Sequence, residues 1–381
     1  MDVPSESSSQ PAPRPWFRSV LETLGLAGKP SSPTRSYPLG YLAALDGMRG
    51  LMTLGVLCAH TRYLLMPGAI VFMDIFFTMS GYLITGLLIA EYNKTKHIDF
   101  KAFYIRRLMR LYPALVVMLL TMLLVAAFFS SEFGKRLIDA AVAFLYISNY
   151  WRAFDGPGLW YTTHTWSLSL EEQFYLLWPL TFAVLVRWFG LSWRTVGTVL
   201  VLAVGFWAWR AWLTYDGATI QRLYNSFDTR ADSLLIGCAL AIALKLVDLS
   251  QYPRVSTVLA WSLLPLGLYA FWCGQTFHDN MRWYYYMSPL TGSIPGAIAI
   301  AAITLPRRTF MHAFYELPAF VFCGRICYGL YIWHYPIFSV LRGEFQLRYF
   351  FVFLIGWPLA FAAAIASYYW IERPFMRARP L

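Results

Sequence analysis

Ten apolar stretches, each about the 20 residues that a helix needs to cross a bilayer, run through this sequence. They lie at roughly 45–65, 69–91, 110–130, 167–187, 195–214, 230–248, 256–274, 287–305, 318–340 and 348–371. A helix satisfies its own backbone groups, so runs of this length cross lipid as helices. The expected fold is all-α, a polytopic membrane protein of about ten transmembrane helices around a polar cavity. With 58% hydrophobic and only 13% charged residues in 381, the chain lacks the charge a soluble protein of its length would expose. Its net charge of +11 reads as membrane topology rather than nucleic-acid affinity, because Lys and Arg cluster between the apolar runs. Cys58, Cys238, Cys273, Cys323 and Cys327 mostly sit inside those runs without CxxC spacing, which suits packing better than metal or disulfide chemistry.

A shorter run, "RLIDAAVAFLYISNYW" at 136–151, would raise the count to eleven, and charge decides against it. Lys94, Lys96, Lys101, Arg106, Arg107 and Arg110 form the densest basic loop, which the positive-inside rule makes cytoplasmic. With ten crossings the later groups (Arg187/Arg194, Lys245/Arg254, Arg307/Arg308, Arg373/Arg377/Arg379) fall on that same side; with eleven they all flip. Ten crossings with both termini cytoplasmic is therefore expected, and 136–151 becomes an outer-face or re-entrant segment. Residues 1–40 are Pro/Ser-rich and read as a mobile cytoplasmic tail, with at most a short surface helix over "WFRSVLETLGLA". The membrane domain is expected over 41–375, a short cytoplasmic tail over 376–381, and no signal peptide precedes them.

Arg49 and His60 are costly residues for the first span. Eleven positions advance about 1,100° on an α-helix, within about 20° of three turns, so the two share a face about 16 Å apart. A lone intramembrane His is most often a packing residue. An aligned Arg and His point instead to a lined cavity, because ionisable groups at that depth must face protein or water. In the proposed orientation Arg49 lies at the cytoplasmic mouth and His60 about halfway through.

These residues belong to "LDGMRGLMTLGVLCAH", which resembles the first-helix signature of the membrane acyltransferase-3 family. Five further stretches match it in order: "MDIFFTMSGYLIT", "FYIRRLMRLYPAL", "HTWSLSLEEQFYLLWPL", "DTRADSLLIG" and "GRICYGLYIWHYPIF". The resemblance covers roughly 41–375. It implies an O-acyltransferase of the bacterial cytoplasmic (inner) membrane, in a stand-alone form without an esterase-like extra domain. Such enzymes move an acyl group, most often acetyl, from cytoplasmic acyl-CoA to a hydroxyl of a carbohydrate or glycoconjugate. The implied partners are donor, glycan acceptor and membrane lipid, with no metal and no nucleic acid.

Residue by residue, His60 is the candidate general base, since imidazole titrates near neutrality; an acyl-histidine intermediate stays open. The resemblance gives Arg49 a catalytic and donor-binding place, against the plainer reading of an anchor arginine. Arg106, Arg107 and Arg110 could dock the phosphates of CoA or anionic lipid head groups. Glu171, the acid of the "WSLxxE" stretch, is counted with His60 and Arg49 in the catalytic set by the resemblance; it is expected toward the outer leaflet, where it binds acceptor hydroxyls or caps its helix. Asp74, near the outer entry of the second span, could orient an arginine or a sugar hydroxyl, and Ser80-Gly81 after it suits close helix packing. For Asp228, Arg230 and Asp232 an internal ion pair is the first expectation and acceptor binding the second. Tyr331 is expected to line the cavity, as is Arg325, which joins the donor-binding set. His334 stays open, because it stands nine residues from Arg325 and would point to the opposite side of one continuous helix. Phosphate-binding loops and nucleophile elbows are absent from the sequence. The competing function is a secondary transporter or flippase for a lipid-linked sugar, which calls for interrupted helices in two related halves.

Overall fold

The computed structural model describes residues 41–61, 66–305 and 308–378. The expected N-terminal tail with its surface helix, and the basic positions Arg307 and Arg379, lie outside the described residues. Among the described residues the regular structure is helical throughout. The elements are α1 (Ala43–Thr61), α2 (Ala69–Thr95), α3 (Phe100–Phe129), α4 (Phe133–Phe144), α5 (Ser148–Ala153), α6 (Trp166–Phe189) and α7 (Trp193–Tyr215). There follow α8 (Ile220–Asn225), α9 (Ala231–Leu246), α10 (Pro253–Thr276), α11 (Arg282–Thr304), α12 (Phe310–Tyr315), α13 (Pro318–Arg325), α14 (Cys327–Gly343) and α15 (Tyr349–Arg377).

Six of these, α2, α3, α7, α10, α11 and α15, are long and apolar enough to cross a membrane. The chain is a multi-pass membrane protein, inverted relative to a soluble one: Leu124, Phe128, Trp188, Val201 and Trp370 are exposed, whereas Arg210, Arg230, Asp74 and Asp232 are fully buried. Within the described residues each apolar stretch expected from the sequence falls on a helix, except that 318–340 is divided between α13 and α14 by a break at Ile326 (φ −96°, ψ 9°). The run at 136–151 is likewise two helices rather than one. Tyr146, with φ 52°, turns the chain between α4 and α5, and Asp139 ties α4 down by accepting from the backbone N–H of Trp160 (2.9 Å) and Tyr161 (3.1 Å).

Local chemistry sets several boundaries. Lys96 ends α2 in the left-handed conformation (φ 56°), and Asp99 opens α3 by accepting from Ala102 N–H at 2.9 Å, the usual duty of an N-cap carboxylate. Two crossings need bare backbone. A Cβ on Gly81 of α2 would stand 1.9 Å from Leu234 O of α9, and one on Gly324 of α13 would stand 1.9 Å from Asp46 O of α1. The expected close packing at Gly81 is thus the α2–α9 contact, and the α1–α13 contact holds the helix that carries Arg49 and His60.

Candidate functional site

A cavity of about 180 Å³ opens between α1, α2, α3, α6 and α14. Its charged wall is made by Arg49, Arg107, Arg110, Glu171 and Glu172, and Ser167 and Tyr331 also line it. Arg49 reaches from α1 to α14, donating to Cys327 Sγ at 3.1 Å, and meets Asp46 of its own helix at 3.3 Å. Arg107 donates to Glu172 from Nε (2.9 Å) and from a terminal nitrogen (2.7 Å), while its guanidinium lies 3.2 Å over the Tyr175 ring. This fork-and-stack arrangement suits arginine and not lysine. Beside it, Ser80 of α2 donates to Glu171 at 2.7 Å.

The Arg107–Glu172 pairing places the start of α6 beside the early turns of α3. Glu171 therefore sits at the arginine end of the cavity, and the expectation that it lies in the opposite leaflet from the basic loop is corrected. Hydropathy gives a helix its length but not its level. Here α4, α5 and the turn Thr163–Thr165 intervene between the end of α3 and the start of α6.

At the cavity's far wall, the Tyr331 hydroxyl lies 2.6 Å from Ser167 Oγ and donates to His164 O at 2.8 Å. Next to this wall three histidines meet. His60 Nδ1 is 2.8 Å from His334 Nε2, with the two rings 14° from parallel. His334 Nδ1 is 3.0 Å from Leu330 O, one turn back in α14. The His164 ring lies 5.5 Å from that of His334 and 5.0 Å from that of Tyr335. His334 is fully buried and His60 half-buried. Arg49 and Thr53 of α1 line the cavity, whereas His60 is not among its lining residues, so the expectation that Arg49 and His60 line one cavity holds for Arg49 alone. Among the described residues no three His, Cys, Asp or Glu side chains are grouped so as to hold a metal ion.

The other expected residues separate into two groups. Arg106 is off the cavity, 3.4 Å from Glu91. Arg325 is exposed on α13, where it donates to the Tyr41 hydroxyl at 3.1 Å. The expectation that it lines the cavity is corrected: Tyr331 and His334 of α14 face inward while Arg325 faces out, so Arg325 and His334 do point to opposite sides as their spacing requires, with the histidine and not the arginine on the inner one. Asp74, Arg230 and Asp232 are also off the cavity lining. Arg230 reaches Asp74 at 2.8 Å, Asp74 also accepts from Tyr284 and from Ser233 (3.1 Å), and Ser293 donates to Ser233 at 2.8 Å. Asp232 takes a two-pronged contact from Arg210, both at 2.8 Å, and Asp228 pairs with Arg222. Ion pairs do form from the Asp228-Arg230-Asp232 set, but each partner comes from outside it. Arg210 and Tyr284 were missed in the sequence; an arginine inside the apolar run of α7 was the available signal.

The profile of the family described as "Acyltransferase domain" matches residues 42–373. Among curated proteins, the peptidoglycan O-acetyltransferase OatA of Listeria monocytogenes is 33% identical over 81% of this chain and 51% of its own length. The O-acetyltransferase OatA of Staphylococcus aureus is 32% identical over 90% of this chain and 58% of its own length. The chain thus spans little more than half the length of these relatives. No solved structure matches it.

Proposed function

Since this chain belongs to the acyltransferase family whose profile spans it, we propose that it transfers an acyl group, acetyl first among the candidates, from acyl-CoA to a hydroxyl of a glycan. Peptidoglycan is the first acceptor to try, because one relative is named for it. The transporter alternative draws no support from the family match. The observation that carries the reading is the cavity itself, with Arg49, Arg107 and Arg110 in one wall and the Tyr331–Ser167 contact, next to the His60–His334 pair, in another. In our reading there are ten crossings, both termini are cytoplasmic, the membrane is the bacterial inner one, and the arginine end faces the cytoplasm.

In this scheme Arg49 and Arg110 hold the phosphates of CoA, with Arg107 shaping the wall through Glu172. The pantetheine arm spans the ~16 Å from Arg49 to His60, which requires the Tyr331–Ser167 contact to part. His60 takes the proton of the acceptor hydroxyl, whose oxygen attacks the thioester carbonyl. The new C–O bond forms, the C–S bond breaks with its electron pair going to sulfur, and His60 returns the proton to the CoA thiolate. Glu171, held by Ser80 at the arginine end, could orient the acceptor only if the sugar reaches past the Tyr331–Ser167 contact. Asp74, Arg230 and Asp232, proposed from the sequence as acceptor contacts, could reach an acceptor only if the buried pairs open.

The test is incubation of inverted membrane vesicles with radiolabelled acetyl-CoA and peptidoglycan fragments. Alkali-labile label should appear in the glycan with the wild type and fall about 10²–10⁴-fold with His60→Ala, while purified His60→Ala still binds CoA. No labelled glycan from folded protein would sink the reading.

A further inference from the structure

We propose that His334 is the positioning residue of the reaction centre: it sets the tautomer of His60, leaving His60 Nε2 as the nitrogen offered to the acceptor hydroxyl. This rests on the reading of His60 as the base and adds which nitrogen acts and what holds it.

The argument follows one chain of hydrogen bonds. The carbonyl of Leu330 can only accept, and His334 Nδ1 stands 3.0 Å from it, so Nδ1 of His334 carries a hydrogen. A neutral imidazole with one N–H has a lone pair on its other nitrogen. His334 is fully buried, where an unpaired charge is costly. The ring partners of the pair are Tyr331, Tyr335, His164 and Phe338. Among the described residues neither histidine is paired with a carboxylate, so a second proton on His334 would have none to meet, and its Nε2 accepts. His60 Nδ1, 2.8 Å away, must then donate. Its proton is fixed on Nδ1 and its lone pair on Nε2.

The same chain limits what the pair can do. When His60 Nε2 takes the acceptor proton, the Nδ1–H bond to His334 becomes charge-assisted and stronger. The proton cannot pass on through His334, whose far nitrogen already donates to a helix carbonyl. His334 therefore orients and stabilises, and the proton leaves by the nitrogen through which it entered, toward the CoA thiolate. An aspartate would do this with a buried negative charge; a second neutral imidazole does it without one.

Two polar substitutions separate this role from mere packing. His334→Asn keeps an amide near the position of Nδ1, able to meet Leu330 O, but is too short to reach His60. His334→Gln extends an amide oxygen to about the position of Nε2, where it can accept from His60 Nδ1. On the purified full chain in detergent, with unfolding temperatures checked, His334→Asn should lower kcat at least about tenfold with the KM for acetyl-CoA little changed; loss of the equivalent orienting partner in a hydrolytic triad reaches about 10⁴. His334→Gln should recover most of that loss. Adding His334→Asn to His60→Ala should cost nothing further, as expected for residues acting as a unit. Wild-type kcat in His334→Asn, or equal loss in the Asn and Gln variants, would overturn the assignment. Activity surviving in His60→Ala would instead overturn the base itself, whatever residue 334 does.

Discussion

The Arg107 guanidinium is gripped by Glu172 on its edge and by Tyr175 on its face, so its fork is already spoken for by the protein. Charge that looked in the sequence like a uniform basic patch is divided. Arg106 is turned to Glu91 away from the cavity, Arg107 is built into the wall, and Arg49 and Arg110 line it.

That division predicts unequal effects on the donor. Arg110→Gln should raise the apparent KM for acetyl-CoA about ten- to a hundredfold, the equivalent of one hydrogen bond to a charged group at about 1.5–3 kcal/mol. Arg106→Gln should leave it unchanged, and the acceptor KM should move in neither. Steady-state kinetics with both substrates varied would show it. Unaltered donor kinetics in both variants would return both residues to the role of lipid anchors, and equal losses in both would erase the division between them.

Removing one member of the fully buried pair Asp74–Arg230 strands the other. Asp74→Ala should therefore lose about 3–5 kcal/mol of stability, read from unfolding in detergent, with acceptor KM unaltered in the molecules that remain folded. A raised acceptor KM without loss of stability would show that Asp74 meets substrate instead.

Asp228, ahead of α9, offers a pH test. Burial opposes its charge, but hydrogen bonds from Arg222 and from the Trp209 indole, with the charge of Arg222, outweigh it and hold the carboxyl below its ordinary range. A depressed folded value means that the pair stabilises above the unfolded pKa of about 3.9 and stops doing so as pH falls through the lower folded one. Asp228→Asn should thus be less stable than wild type at pH 6 by up to about 1 kcal/mol, as for a partly exposed pair. The gap should close as pH falls through the depressed folded value. A gap independent of pH would remove the ion pair as its cause.

For topology, single cysteines at residue 95, the end of α2, and residue 217, just past α7, should react with a membrane-impermeant maleimide from opposite faces, in a background lacking the native thiols. Labelling of both from one face would dismantle the ten-crossing count together with the inside-to-outside direction of transfer.

The helices were legible because apolar length is a local property: the stretch at 69–91 becomes α2 whatever packs beside it. The shared face of Arg49 and His60 was legible for the same reason, through helical period alone. What escaped was set by contacts between distant segments. That Arg325 and His334 point to opposite sides was legible in their spacing, but which of them faces inward was set by His334 meeting His60 and Arg325 meeting Tyr41. The level of α6, and with it the place of Glu171, was fixed by Glu172 finding Arg107. Arg210 lay in plain view, yet its partner Asp232 could be named only once α7 and α9 were seen side by side.

The buried ion pairs also impose a timetable. Arg210 and Asp232 are 22 residues apart, so the ribosome supplies the second about one to four seconds after the first, at about 5–20 residues per second. Asp74 waits for Arg230 far longer, roughly ten to thirty seconds at the same pace. The Arg210–Asp232 pair can therefore form almost as it emerges, while Asp74 of α2 must wait for Arg230, the residue just ahead of α9. Since Arg230, at the N-cap of α9, and Asp232, in its first turn, supply a partner for each, this short segment is the keystone of insertion, and a ribosome stalled between residues 74 and 230 would leave α2 waiting in the membrane without its arginine.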